Sequence, residues 1–208
     1  MLRRLLVLVL ALTLTGATIP AADTFSYASV QPLQTADGRR NFCSAFAINK
    51  KAKLWMTAAH CVVLESHSAD EVYRIVPHMF GKPVVLVAWD TQADIAIIRA
   101  AKGAEALMMA PVAPLTGQPV RVVGFGCGCK EWTEFYGTVY APEQDADGNE
   151  TTPLSMLYYM LVAPGHSGSP VLNPDGRVVG IAQFMIGGFM LSGGASYETT
   201  KGWVERYD

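Results

Sequence analysis

The chain has no excess of either charge. Lys and Arg number 16 against 18 Asp and Glu, a formal net charge of −2, so nothing implies the basic face that draws nucleic acid or an anionic membrane. Charged residues are few, at 16%, and no segment repeats the apolar three-and-four spacing of a long amphipathic helix. That excludes a helical bundle or coiled coil. Long apolar runs are also scarce: the one at residues 5–14 falls well short of the roughly 20 residues that a membrane span requires. Four cysteines are too few to replace a hydrophobic core in a chain of this length.

The apolar run follows Arg3 and Arg4 and leads into the small residues Gly16, Ala17, Ala21 and Ala22. A basic start, a short apolar stretch and a small-residue exit describe a secretory signal peptide, here assigned to residues 1–22, with Thr15 and Ala17 fitting an earlier cut. The expected product is secreted or periplasmic, with no stable membrane anchor after cleavage. Half of the residues are apolar, with 19 Gly and 12 Pro dispersed among them. Short apolar segments punctuated by turn residues predict an all-β protein.

Strands are predicted at 42–48, 54–57, 72–76, 84–89 and 94–99, then at 120–125, 134–140, 154–162, 169–172 and 177–184. Between the two series lies a proline-spaced stretch, 110–119, that suits a connection. Asn173-Pro174-Asp175-Gly176 reads as a turn, and residues 200–207 as a short closing helix. The expected domains are residues 23–112 and 113–208.

Three segments carry chemistry. Thr57-Ala58-Ala59-His60-Cys61 comes first, Asp94-Ile95-Ala96-Ile97-Ile98 second, and Gly165-His166-Ser167-Gly168-Ser169-Pro170 third. A serine hydroxyl is a weak nucleophile that needs a base, and the base needs a partner to fix its tautomer. Each segment alone has a plainer reading, as a turn, a strand-starting Asp or a core histidine. Together and in this order they resemble the three hallmark motifs of the chymotrypsin-like (trypsin-like) serine peptidases, in a bacterial-type subgroup.

The resemblance implies two six-stranded antiparallel β-barrels with the active site in the cleft between them, His60 and Asp94 in the first barrel and Ser167 in the second. It implies a serine endopeptidase working through an acyl-enzyme on protein or peptide substrates, without cofactor or metal. His60, Asp94 and Ser167 would be catalytic, and the N–H groups of Gly165 and Ser167 would form the oxyanion hole. Asp90 is a rival to Asp94, less favoured because Asp94 directly precedes an apolar strand. Cys43 and Cys61 match a bridge of the family. Cys127 and Cys129 have no counterpart there and form a local redox-labile bridge, stay free or join two molecules. Counting from the serine by the family's offset puts Leu161 at the base of the specificity pocket, with Gln183, Phe184 and Met185 on one wall. Zymogen-activated members carry an acid before the serine to pair with a new N-terminus. His166 stands there instead, and no I-V-G-G type sequence precedes Cys43.

Two other classes fit parts of this pattern. One is a catalytically silent binding protein on the same fold; the other is an esterase using the same triad. The acidic stretch 145–150 resembles a calcium loop only loosely, lacking the spacing and terminal Glu of an EF-hand.

Overall fold

The apolar segments of this sequence are too continuous to alternate simply between core and solvent. Asp94 is followed by Ile95, Ala96, Ile97 and Ile98, and all four are buried. In the computed structural model, which describes residues 25–65, 72–142, 155–186 and 190–208, both faces of such strands are covered. The first half contains β1 (Val30–Gln34), β2 (Asn41–Asn49), β3 (Leu54–Ala58), β4 (Val63–Glu65), β5 (Val72–Arg74), β6 (His78–Met79), β7 (Lys82–Pro83), β8 (Val85–Asp90) and β9 (Ile95–Arg99). The second contains β10 (Pro119–Gly124), β11 (Thr133–Pro142), β12 (Ser155–Tyr159), β13 (Pro170–Leu172), β14 (Val178–Ile181), β15 (Phe184–Ile186) and β16 (Leu191–Ala195), closed by helix α1 (Tyr197–Tyr207).

These strands form two seven-stranded antiparallel sheets, ordered β7-β6-β1-β2-β3-β9-β8 and β14-β13-β10-β11-β12-β16-β15, with β4 and β5 as a separate pair. The architecture is the expected all-β two-barrel fold, with little helix. Where six strands per barrel were expected, each sheet has seven. Sequence patterning missed β1, which pairs with β2 from Val30 opposite Phe46 to Gln34 opposite Asn41. It also missed β16 and read β14 and β15 as one strand. Ala182 and Gln183 separate those two, each with its N–H on a different carbonyl, Ser169 O and Gly193 O.

Period-two alternation explains the doubly buried strands. From β2, β3 and β9, the side chains of Ala45, Ala47, Trp55, Ala96 and Ile98 fill the interior of the first half. The alternate residues Phe46, Ile48, Met56, Ile95 and Ile97 pack with Val123, Phe125, Leu172 and Ile181 of the second half. Each large apolar side chain so buried is worth about 1.5–3 kcal/mol. The halves therefore share a core, and the second keeps its own around Val122, Tyr158, Met160, Val171 and Val179.

The connecting stretch is docked rather than loose. Leu107 N–H bonds to Ala47 O of the first half, and three residues later Ala110 N–H bonds to Val178 O of the second. Asn173 to Gly176 forms the expected turn: Gly176 N–H bonds to Asn173 O, and the Asn173 side chain accepts from Asp175 N and Arg177 N. Helix α1 starts three residues earlier than expected because the Ser196 hydroxyl caps it, accepting from Thr199 N at 3.2 Å. The assigned signal segment 1–22, His67 and the acidic stretch 145–150 lie outside the described residues. Among the described residues, no helix is long and apolar enough to cross a membrane.

Candidate active site

His60 lies in a 3-10 turn, Ala59–Cys61, that leaves the end of β3. Two contacts fix this turn. Ala59 N–H bonds to Asp94 O at 3.0 Å, and Cys61 is disulfide-bonded to Cys43 on β2. The Asp94 carboxylate then holds the histidine twice: Oδ1 accepts from His60 N at 2.8 Å, and Oδ2 lies 2.7 Å from the ring Nδ1. Asp94 adopts φ +51° just before β9. Asp90 has a different task, its Oδ1 accepting from Gln92 N and Ala93 N in the turn between β8 and β9.

Ser167 stands in the loop between β12 and β13. Gly165 has φ +103° and Gly168 φ +84°, a backbone region open to glycine and strained for other residues. A side chain at 168 would also meet Ser44 O at 2.2 Å. The N–H groups of His166, Gly168 and Ser169 bond to Ala163 O, Ala182 O and His166 O, whereas those of Gly165 and Ser167 take part in none of the loop's hydrogen bonds.

The structure brings the two parts together. Cys61 Sγ lies 3.8 Å from Ser167 O, so the histidine turn and the serine loop touch. The Ser167 hydroxyl donates to Gln183 O at 3.3 Å. Gln183 in turn donates from its side-chain Nε2 to Ala93 O and Asp94 O at 2.9 and 2.7 Å. Among the described residues, no hydrogen bond joins Ser167 Oγ directly to His60.

A cleft of about 220 Å³ opens beside Ser167, lined by Val162, Ala163, Pro164, Ala182, Gln183, Phe184 and Met185 together with His166. Gln183, Phe184 and Met185, expected on one wall of the specificity pocket, are among the residues that line this cleft. Leu161 is not: it is 44% exposed and outside this lining. Its neighbour Val162 is 7% exposed and lines the cleft, and in extended backbone a shift of one residue reverses the face a side chain occupies. Glu198, in the first turn of α1, is also absent from the described lining. Cys43, His60 and Cys61 bring ligand-type atoms within 4.8 Å of one another, but the two sulfurs are bonded to each other and cannot act as thiolate ligands. Cys127 and Cys129 are free and exposed.

Sequence reasoning missed Ser44. Its buried hydroxyl donates to Gly165 O at 2.8 Å and accepts from Phe125 N at 3.0 Å, while its own N–H bonds to Ser167 O at 2.8 Å. One residue of β2 therefore grips the serine loop from the opposite half. Only its neighbour Cys43 hinted at this location.

Known proteins share this fold. At 20% identity the Rv3671c protease, in an inactive form, superposes with a TM-score of 0.63, covering 86% of this chain and 88% of its own. A mutant of Rv3671c from M. tuberculosis H37Rv, also inactive, gives 0.62 at 20% identity over 86% and 85%. A serine endoprotease from Yersinia pestis gives 0.63 at 15% identity, covering 90% of this chain and 63% of that one. Identities this low speak for the fold alone. No curated protein matches the sequence. Residues 43–181, more than half of the chain, match the family described as the trypsin-like peptidase domain, and the chain belongs to that family.

Proposed function

We propose that the protein is a serine endopeptidase that cuts peptide bonds with Ser167, His60 and Asp94. The observation that carries this reading is the chain of contacts from Ser167 through Gln183 to Asp94 and His60, next to two N–H groups that make no hydrogen bond among the described residues. With its Nδ1–H donated to Asp94, neutral His60 presents the Nε2 lone pair to accept a proton. Ser167 Oγ attacks the substrate carbonyl carbon as its proton passes to His60. The C–N bond breaks when His60 returns that proton to the leaving amine. Water then hydrolyses the acyl-enzyme by the same route in reverse roles. The oxyanion formed at each attack is held by Gly165 N–H and Ser167 N–H.

The substrate follows from two features of the cleft. Among the described residues β15 ends its sheet, paired with β16 alone, so its outer edge suits an extended peptide as a further antiparallel strand. Apart from His166, whose pKa burial lowers, the described lining carries no acid or base to neutralise a charged side chain, whose unpaired burial costs several kcal/mol. The Cys43–Cys61 bridge suits an oxidising compartment, and with the assigned signal segment it supports a secreted or periplasmic location.

One observation favours the rival reading of a silent binding protein: the Ser167 hydroxyl is turned to Gln183 O instead of His60. Catalytic hydrogen bonds commonly tighten only with substrate in place. Labelling with a fluorophosphonate decides the matter. Covalent labelling of the parent chain that is lost in Ser167→Ala is expected; equal labelling of both, or of neither, would sink the catalytic reading.

A further inference from the structure

His166 lies between the two proposed oxyanion donors and is 1% exposed, so it is no spacer. Its ring is held at both nitrogens. Nδ1 lies 3.1 Å from Ala163 N, a donor, and must therefore accept. The ring proton then sits on Nε2, 2.9 Å from Thr133 Oγ1. That hydroxyl also accepts from Gly126 N at 3.0 Å and donates to Gly124 O at 3.1 Å. One assignment of protons thus satisfies the imidazole and the threonine completely.

The site is shaped to this ring. Phe135 meets it edge-on, with centroids 5.2 Å apart. A side chain at Gly126 would come within 2.3 Å of His166 Cε1, so the ring fits only because that position carries none. Burial holds the ring's pKa below the usual 6.5, in keeping with a neutral acceptor at Nδ1. Ala163 lines the cleft, and its carbonyl accepts from His166 N. The ring and backbone of His166 therefore close the Ala163–His166 turn from both sides, with Gly165 inside it.

We infer that His166 is a positioning residue: as a neutral Nε2–H imidazole it pins the Ala163–His166 turn to Thr133 on β11, fixing where the Gly165 and Ser167 N–H groups point. This rests on the reading of Ser167 as nucleophile and adds what orders the loop. A buried neutral ring, supplied from within the loop, performs the task without a charged partner brought by a cleaved N-terminus.

The test uses fluorophosphonate labelling of the full chain, with the maximal labelling rate separated from the half-saturating probe concentration. His166→Phe keeps a ring but removes both polar atoms; it is expected to lower the maximal rate about 100-fold, as a misplaced catalytic group does, with half-saturation little changed. His166→Asn places Oδ1 where Nδ1 stood and keeps an acceptor for Ala163 N–H. It is expected to recover most of the rate, to within about tenfold of the parent, the factor that roughly one hydrogen bond supplies. If His166→Phe fails to fold by thermal unfolding, Thr133→Val, which removes the acceptor for Nε2–H, carries the same expected loss. A His166→Phe or Thr133→Val chain labelled as fast as the parent overturns the inference, as does a folded His166→Asn chain no faster than His166→Phe. In those cases Ser167-dependent labelling of the parent leaves the hydrolase reading standing. A parent that does not label at Ser167 overturns both.

Discussion

Replacing Ser44 by alanine removes one oxygen and leaves two buried backbone groups without their partner, Phe125 N–H and Gly165 C=O. The site is sealed, since Ser44 is 0% exposed, and water is kept from replacing the hydroxyl. Each orphaned group costs about 1–3 kcal/mol, so the two together cost about 2–6 kcal/mol, and a loss of roughly 3 kcal/mol, in the lower half of that range, is expected. For a chain of this size each kcal/mol moves Tm by about 2–4 °C, giving a predicted drop of about 6–12 °C. The Ser44 N–H bond to Ser167 O survives the substitution, so the change isolates the hydroxyl. Freed at its carbonyl, Gly165 can change its backbone angles, and a displaced oxyanion donor lowers the acylation rate by about 10- to 100-fold. Differential scanning fluorimetry and fluorophosphonate labelling read the two effects on the same sample. A stability change within about 0.5 kcal/mol, ordinary for an exposed residue, together with unchanged labelling, would refute the idea that this hydroxyl clamps the loop.

Asp94→Asn is expected to leave the fold intact and cut turnover by about 10⁴-fold through the wrong histidine tautomer; turnover near that of the parent would return Asp94 to a structural role. Opening the Cys43–Cys61 bridge by a double serine substitution is expected to cost about 3 kcal/mol for so short a loop, read by urea unfolding, and an unchanged midpoint would refute it. A peptide-library digest is expected to show cleavage after uncharged, mostly apolar residues, because the described pocket lining carries no counter-charge; a profile dominated by Arg and Lys would overturn this. His166 gives stability a pH dependence of known sign. The unfolded ring takes up a proton near pH 6.5 while the buried one resists, so stability falls as pH drops below 6.5, and His166→Asn should flatten that part of the Tm profile.

The sequence made the chemistry more legible than its support. His60, Asp94 and Ser167 announce themselves because each motif packs its local requirements into five or six consecutive residues. The strands were legible where apolar runs were long, as in 42–48 and 94–99, and β1 was missed because Gln31, Pro32 and Gln34 dilute its pattern. What failed depends on distance along the chain. Ser44 meets Gly165 across 121 residues and His166 meets Thr133 across 33, and no local pattern encodes either pairing. Leu161, placed by an offset taken from the family, lies just outside the described cleft lining, whose edge falls at its neighbour Val162.

Gln183 sets a condition on when the proposed site is complete. The His60–Asp94 pair is complete within the first hundred residues, and Ser167 follows, but the residue joining them through its carbonyl and its amide is made later still. A ribosome working from the N-terminus thus produces the dyad, then the nucleophile, then the link between them. Until Gln183 has emerged, the growing chain holds all three proposed catalytic side chains without the link that Gln183 supplies between the serine loop and the Asp94 segment. The order of synthesis therefore places this link after every residue it joins.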